Sequence, residues 1–149
     1  MNKKPSIVNE EPKPIDLIRT WEERGYSIGF TNGCFDLIHP GHISLLHCAK
    51  NECDKLVVGL NSDSSVAKLK GKDRPIQKEN ARATVLLALK DVDAVIIFNE
   101  ETPIKLIKLI KPDVLIKGGD YKIDNIVGAE FIQQNGGRVV LSDYKNGHS

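Results

Sequence analysis

The stretch FTNGCFDLIHPGHISLL, Phe30 to Leu46, gathers groups able to do chemistry: His39, His42, Asp36 and Cys34, with Gly33 and Gly41 among them. Three chemistries use such a set: a metal site, a redox cysteine and a phosphate cradle. Pro40 helps to choose between them. Proline suits the first turn of a helix, where its missing N–H costs nothing. With Pro40 at the first helical position, His39 falls at the cap and His42 on the third residue. Both imidazoles can then turn toward a helix end that offers unpaired N–H groups and the positive end of the dipole, which favours an anion. Gly33 and Gly41 let the backbone approach closely. Two imidazole donors beside open amides suit a polyphosphate. A plain helix cap with incidental histidines would explain one histidine better than it explains His-Pro-Gly-His. A zinc site from Cys34, His39, His42 and Cys48 matches no usual structural spacing, and a helix N-terminus repels a cation. Cys34 has no Cys-x-x-Cys partner, which leaves it as pocket lining.

Further charged groups lie in other loops. KLKGKDRP carries Lys68, Lys70, Lys72 and Arg74. Lys68 and Lys70 read as solvated. Arg74, constrained before Pro75, has a planar fork that suits phosphate. Arg82 either supports the same anion or lies on a solvent face. Asp36 caps a turn or lies near the reacting phosphates. Asn61, Ser62 and Asp63 offer caps for a short helix. In KGGD, a tight turn explains Gly118 and Gly119 but not the charges of Lys117 and Asp120.

Elements must bring these loops together. The pattern predicts a tail over residues 1–13 and a helix in IDLIRTWEERG, with Ile15, Ile18 and Trp21 at helical spacing. Strands follow in YSIGFTNG, KLVVGLNS, DAVIIF, PDVLIKGG and RVVLSD. Helices alternate with them in GHISLLHCAKNE, SSVAKLK, ARATVLLALKDV, TPIKLIKLIK and IVGAEFIQQNGG, the fourth of these capped by Thr102 with Pro103 first in the helix. This alternation predicts one α/β domain over residues 14–149: a Rossmann-like, doubly wound, five-stranded parallel sheet. Ligands in such sheets sit at the carboxyl ends of the strands, near the switch point. That is where TNGCFDLIHPGH, NSD and KGGDY fall.

Composition narrows the classes further. A chain of 149 residues with 40% apolar and 28% charged residues is globular, and its net charge of +1 gives no long-range pull toward nucleic acid or an anionic membrane. No apolar run approaches the roughly 20 residues that span a bilayer. The N-terminus lacks a signal-peptide core, and three cysteines without a scaffold spacing are expected as free thiols in the cytoplasm.

Taken together, these residues resemble the HxGH nucleotidyltransferase superfamily, the cytidylyltransferase-like group. Within it, LVVGLNSDSSVAKLKG, RPIQ, VDAVIIFNEETP, DVLIKGGDY and GAEFIQQNGGRVVL look most like the adenylyltransferases of ADP-heptose synthesis. The resemblance covers nearly the whole chain after Ile15. It implies that ATP and D-glycero-β-D-manno-heptose 1-phosphate give ADP-heptose and pyrophosphate, for lipopolysaccharide core or related surface glycans. It implies His39, His42, Lys72 and Arg74 as catalytic residues. Thr31, Asn32, Gly33, Phe35, Gly41, Asp63, Lys117, Gly118 and Asp120 would bind nucleotide, and Asp36, Asn61 and Arg82 the sugar phosphate. Mg2+ would be bound through ATP phosphates. Relatives suggest a homodimer. Only residues 1–29 precede the motif, so a heptose kinase is expected as a separate protein. The family pattern continues past GHS with two threonines and a helix, so the closing segment is expected to be missing at Ser149. Two alternatives stand beside this reading: a cytidylyltransferase for glycerol phosphate or a similar alcohol phosphate, and a nucleotide-binding regulatory module without turnover.

Overall fold

The computed structural model describes residues 13–119 and 121–142. The expected tail (Lys13 apart), Asp120 and the chain end at Ser149 lie outside the described residues. The described elements are α1 Pro14–Glu23, β1 Ile28–Gly33, α2 Pro40–Asn51, β2 Lys55–Asn61, α3 Asp63–Lys70, α4 Glu79–Ala88, β3 Ala94–Phe98, α5 Ile104–Ile110, β4 Val114–Gly118, α6 Ala129–Gln134 and β5 Arg138–Ser142. A 3₁₀ turn, Ile123–Asn125, precedes α6. The strands form one sheet in the order β3-β2-β1-β4-β5, and every pairing is parallel.

Side chains alternate across this sheet, as the pleat requires. Phe30, Val57 and Leu115 face one side, where Ile18 and Trp21 of α1, Leu106, Ile107 and Ile110 of α5, and Ala129 and Ile132 of α6 cover them. Leu56, Val58, Leu60, Val114 and Ile116 face the other, under Leu46 and Ala49 of α2 and Ala83 and Leu86 of α4. Both faces are buried, so the strands read as near-continuous apolar runs. The doubly wound, five-stranded parallel arrangement is the one that the sequence pattern predicts.

Helix α4 spans Glu79–Ala88 where the pattern predicts residues 81–92, and the starts of α6 and α5 also differ from expectation. The helix expected from Ile126 begins only at Ala129, because Gly128 has φ +89°, which no helix interior accommodates. A Cβ at Gly128 would also lie 2.8 Å from Cδ1 of Ile107, so this glycine lets the chain pass close over α5. Pro103 is the cap of α5 rather than its first residue, and no side chain, Thr102 included, caps that helix.

Candidate active site

The strand order reverses at β1, which lies between β2 and β4. The carboxyl ends of these strands, at Gly33, Asn61 and Gly118, therefore open onto one crevice. A cavity of about 460 Å³ lies there. It is lined by Asn32, Gly33 and Cys34 at the end of β1, Asn61 of β2, Lys117 of β4, and the segments Glu101–Pro103 and Asn125–Val127. Gly33 has a local task as well: a Cβ there would stand 3.0 Å from the ring of Phe35. Thr31 is buried within the sheet.

Beside the cavity, the chain turns from β1 into α2 through two non-glycine residues in the left-handed region, Phe35 (φ 46°) and Leu37 (φ 60°). Such backbone costs free energy and is held by its surroundings. Here Phe35 is buried, with its ring centroid 5.2 Å from that of His42. Pro40 opens α2, His39 is its cap and His42 its third residue, as the sequence predicts. Nδ1 of His39 accepts the Gly41 amide at 3.1 Å, and Nδ1 of His42 accepts the His39 amide at 3.2 Å. This is a capping box built from two imidazoles. It also sets the chemistry. A nitrogen that accepts carries no proton, so on each ring any proton sits at Nε2. Both histidines are thereby fixed as Nε2–H donors. Their rings stack with centroids 3.8 Å apart. Burial lowers the His42 pKa to about 4, with help from the charges of His39 and Lys70, so the ring is neutral near pH 7. No acidic residue stands in the first turn of α2 to cancel the positive helix end.

The acidic residues and Arg82 form a bracing network. Arg82 is fully buried, which sets aside the solvent-face alternative. Its guanidinium donates to the Gln77, Cys34 and Asn61 carbonyls and to the Asp63 carboxylate. Asp36 accepts the amides of Ile76 (2.7 Å) and Gln77 (3.0 Å). Burial alone would raise its pKa, but the two amides together with the charges of Arg82 and Arg74 outweigh burial and hold the carboxyl below its usual range. Asn61 is buried and donates from Nδ2 to Ser65. Lys72 and Arg74 stand on the exposed loop between α3 and α4, outside the cavity wall. Asp120 lies outside the described residues.

Lys117 lines the cavity with its ammonium 5.3 Å from the ring centre of Tyr121, and burial lowers its pKa. Burial also pushes the Cys34 thiol up, which makes it a poor nucleophile and fits a lining role. Lys70 corrects the sequence reading. It belongs to the cavity wall rather than to solvent alone, and its charge bears on His42 and Cys34. Its signal was its place as the last residue of α3 before Gly71. Glu101, Thr102 and Tyr121 were missed as well. The first two follow the carboxyl end of β3, where a parallel sheet presents its loops. Among the described residues, no three His, Cys, Asp or Glu side chains group to hold a metal ion. No described helix is long and apolar enough to cross a membrane.

Comparison with known proteins adds to this geometry. A family model described as cytidylyltransferase-like matches residues 30–139. The bifunctional protein HldE of Paramagnetospirillum magneticum is 58% identical over 134 residues, which cover 90% of this chain and 28% of that protein. HldE of Caulobacter vibrioides is 56% identical over 133 residues, covering 89% and 28%. The chain thus spans only 28% of the length of these curated relatives. The crystal structure of a lipopolysaccharide core biosynthesis protein from Thermoplasma volcanium superposes with a TM-score of 0.68 at 32% identity, covering 82% of this chain and 100% of that one. A pantoate-beta-alanine ligase from Francisella tularensis shares the fold at 16% identity, with a TM-score of 0.59 over 92% of this chain and 66% of the other.

Proposed function

The chain belongs to the cytidylyltransferase-like family and is a nucleotidyltransferase, and from that premise we propose that it transfers AMP from ATP to D-glycero-β-D-manno-heptose 1-phosphate. The products are ADP-heptose and pyrophosphate. The observation that carries the reading is the pair of Nε2–H donors locked at the N-terminus of α2, beside a cavity at the switch point. Its lining of amide, hydroxyl, carboxylate and ammonium groups suits a polyhydroxylated phosphate. The heptose assignment is supported by the sequence resemblance, by the HldE relatives and by the core biosynthesis neighbour.

On this reading, an oxygen of the sugar phosphate attacks the α-phosphorus of ATP. The bond from that phosphorus to the β-bridging oxygen breaks, and pyrophosphate leaves in line. The attacking oxygen is already anionic, so no strong general base is needed. Catalysis is positioning and charge stabilisation. His39 and His42 donate to the phosphates as charge shifts toward the leaving group. Lys72 and Arg74 serve the sugar phosphate or the departing pyrophosphate. Backbone at Thr31, Asn32, Gly33, Phe35, Gly41 and Gly118 lines the nucleotide, with Lys117, Asp63 and Asp120 around it. Asp36 and Asp63 already accept protein donors, which fits Mg2+ carried on phosphate oxygens rather than in a carboxylate cage. When bound, that ion neutralises phosphate charge.

The test is pyrophosphate release with each pairing of ATP or CTP with heptose 1-phosphate or glycerol 3-phosphate. Release is expected with ATP and the heptose phosphate. Release with CTP and glycerol phosphate, and none with the first pair, overturns the assignment.

A further inference from the structure

Arg82 is the largest of the fully buried side chains, and it carries a permanent charge. Burying a guanidinium is costly unless its donors are satisfied. Here four hydrogen bonds, at 2.8 to 2.9 Å, engage four of its five N–H donors, and each reaches a different segment. Cys34 belongs to the histidine turn, Asn61 ends β2, Asp63 opens α3, and Gln77 closes the basic loop 71–78. Asp36, two residues beyond Cys34, meets the same loop from the other side. Gln77 is therefore held twice, by its amide on Asp36 and by its carbonyl on Arg82. Glu79, one turn before Arg82 on α4, adds a third tie by accepting the Asp63 amide at 2.8 Å.

We infer that Arg82 and Asp36 are positioning residues: they set the register of the basic loop 71–78 against the histidine turn and act on the reaction without touching substrate. The Arg82 guanidinium is out of contact with solvent and engaged by protein, and both oxygens of Asp36 are occupied. Their arrangement fixes the basic loop against the histidine turn, which its own cap already holds. A displacement of about 1 Å between such groups can cost on the order of 10²-fold in rate. The inference rests on the proposed transfer reaction for its kinetic arm only.

The decisive variant is Arg82→Lys, which keeps the charge but cannot reproduce a planar fork across several acceptors. Below its melting temperature it should lose about 10²-fold in kcat, by the same positioning argument, while KM for ATP stays within about threefold. Asp36→Asn, at a partly exposed site, should lose kcat in the same sense. Its Ile76 and Gln77 amides should exchange with deuterium faster than in the wild type. Exchange needs no substrate, so this arm decides the inference even if the heptose assignment fails. Unchanged exchange at both amides in Asp36→Asn overturns it. So does a folded Arg82→Lys with wild-type kcat, or a variant in which KM for the sugar phosphate rises while kcat holds, which would mean direct substrate contact. Should Arg82→Lys fail to fold, Asp36→Asn carries both readings alone.

Discussion

The histidine turn and the basic loop are held in place by opposite means. In the turn, the bonds that fix the two imidazoles run between residues two and three apart: Gly41 to His39, and His39 to His42. In loop 71–78, the bonds to Ile76 and Gln77 from Asp36 cross 40 and 41 residues of chain. Arg82 ties that loop to Cys34, 48 residues away. A local cap forms whenever its helix forms. A loop held across the fold is in place only once the sheet has brought β1 and β2 together. On the proposed reading, the phosphate donors are thus set by a few residues, while the placing of the cations of loop 71–78 depends on tertiary structure.

The strongest way to break this contrast is to separate cap from donor at His42. Glutamate at the third helical position can close a capping box with a carboxylate oxygen and has no N–H, so His42→Glu keeps the cap and removes the donor. Its activity should fall on the order of 10²–10³-fold, by analogy with loss of an oxyanion donor. Its melting temperature should stay within a few degrees of the wild type. His42→Ala should show the same loss of turnover and also lose about 1 kcal/mol of stability, typical of a removed cap. Steady-state kinetics and thermal melts measure both. If His42→Glu keeps normal turnover, the histidine serves the helix and not the phosphate.

The same contrast explains what could be read from the sequence. His39, Pro40 and His42 announced their places at the helix start because the capping bonds that position them lie within four residues. The strands were legible for a similar reason: a parallel sheet covered on both faces writes continuous apolar runs, such as KLVVGL. Arg82 was ambiguous, because nothing in ENARATV distinguishes a solvent face from a buried clamp whose acceptors are Cys34, Asn61 and Asp63. Lys70 read as solvated, because only the fold places the end of α3 over Asn61 and Lys117. The start of α6 was misread because a single positive-φ glycine, Gly128, overrode a helical pattern.

Lys70 offers a second, smaller test. It stands at the hinge between the two regimes, at the end of α3 where the basic loop begins, and it lines the cavity. A point charge there attracts phosphate without the geometry of a fork. Lys70→Ala should raise KM for an anionic substrate about tenfold, the equivalent of one surface-to-cleft ion contact, with a smaller effect on kcat. Raised ionic strength should weaken wild-type binding more than binding to the variant. Equal salt dependence in both proteins would place Lys70 outside the phosphate field.

The finest test is the titration of His42. Burial first, then the charges of His39 and Lys70, lower its pKa to about 4. Its geometry points the same way, since a proton on Nδ1 would break the bond from the His39 amide. In the unfolded chain the ring should titrate near 6.5, its ordinary value. Between those values the unfolded chain binds the proton and the folded one does not. The stability this ring contributes is therefore full above about pH 6.5 and is lost as pH falls toward 4. Proton NMR of the His42 ring should give a midpoint near the lower value, and a midpoint near 6.5 would refute the locked tautomer. The decisive comparison is the same titration in Asp36→Asn. If the turn is held by its own residues, the His42 midpoint should not move when the basic loop is loosened. A midpoint that shifts toward 6.5 in that variant would show that the basic loop reaches back to set the histidines, and that the two regions are one device rather than two.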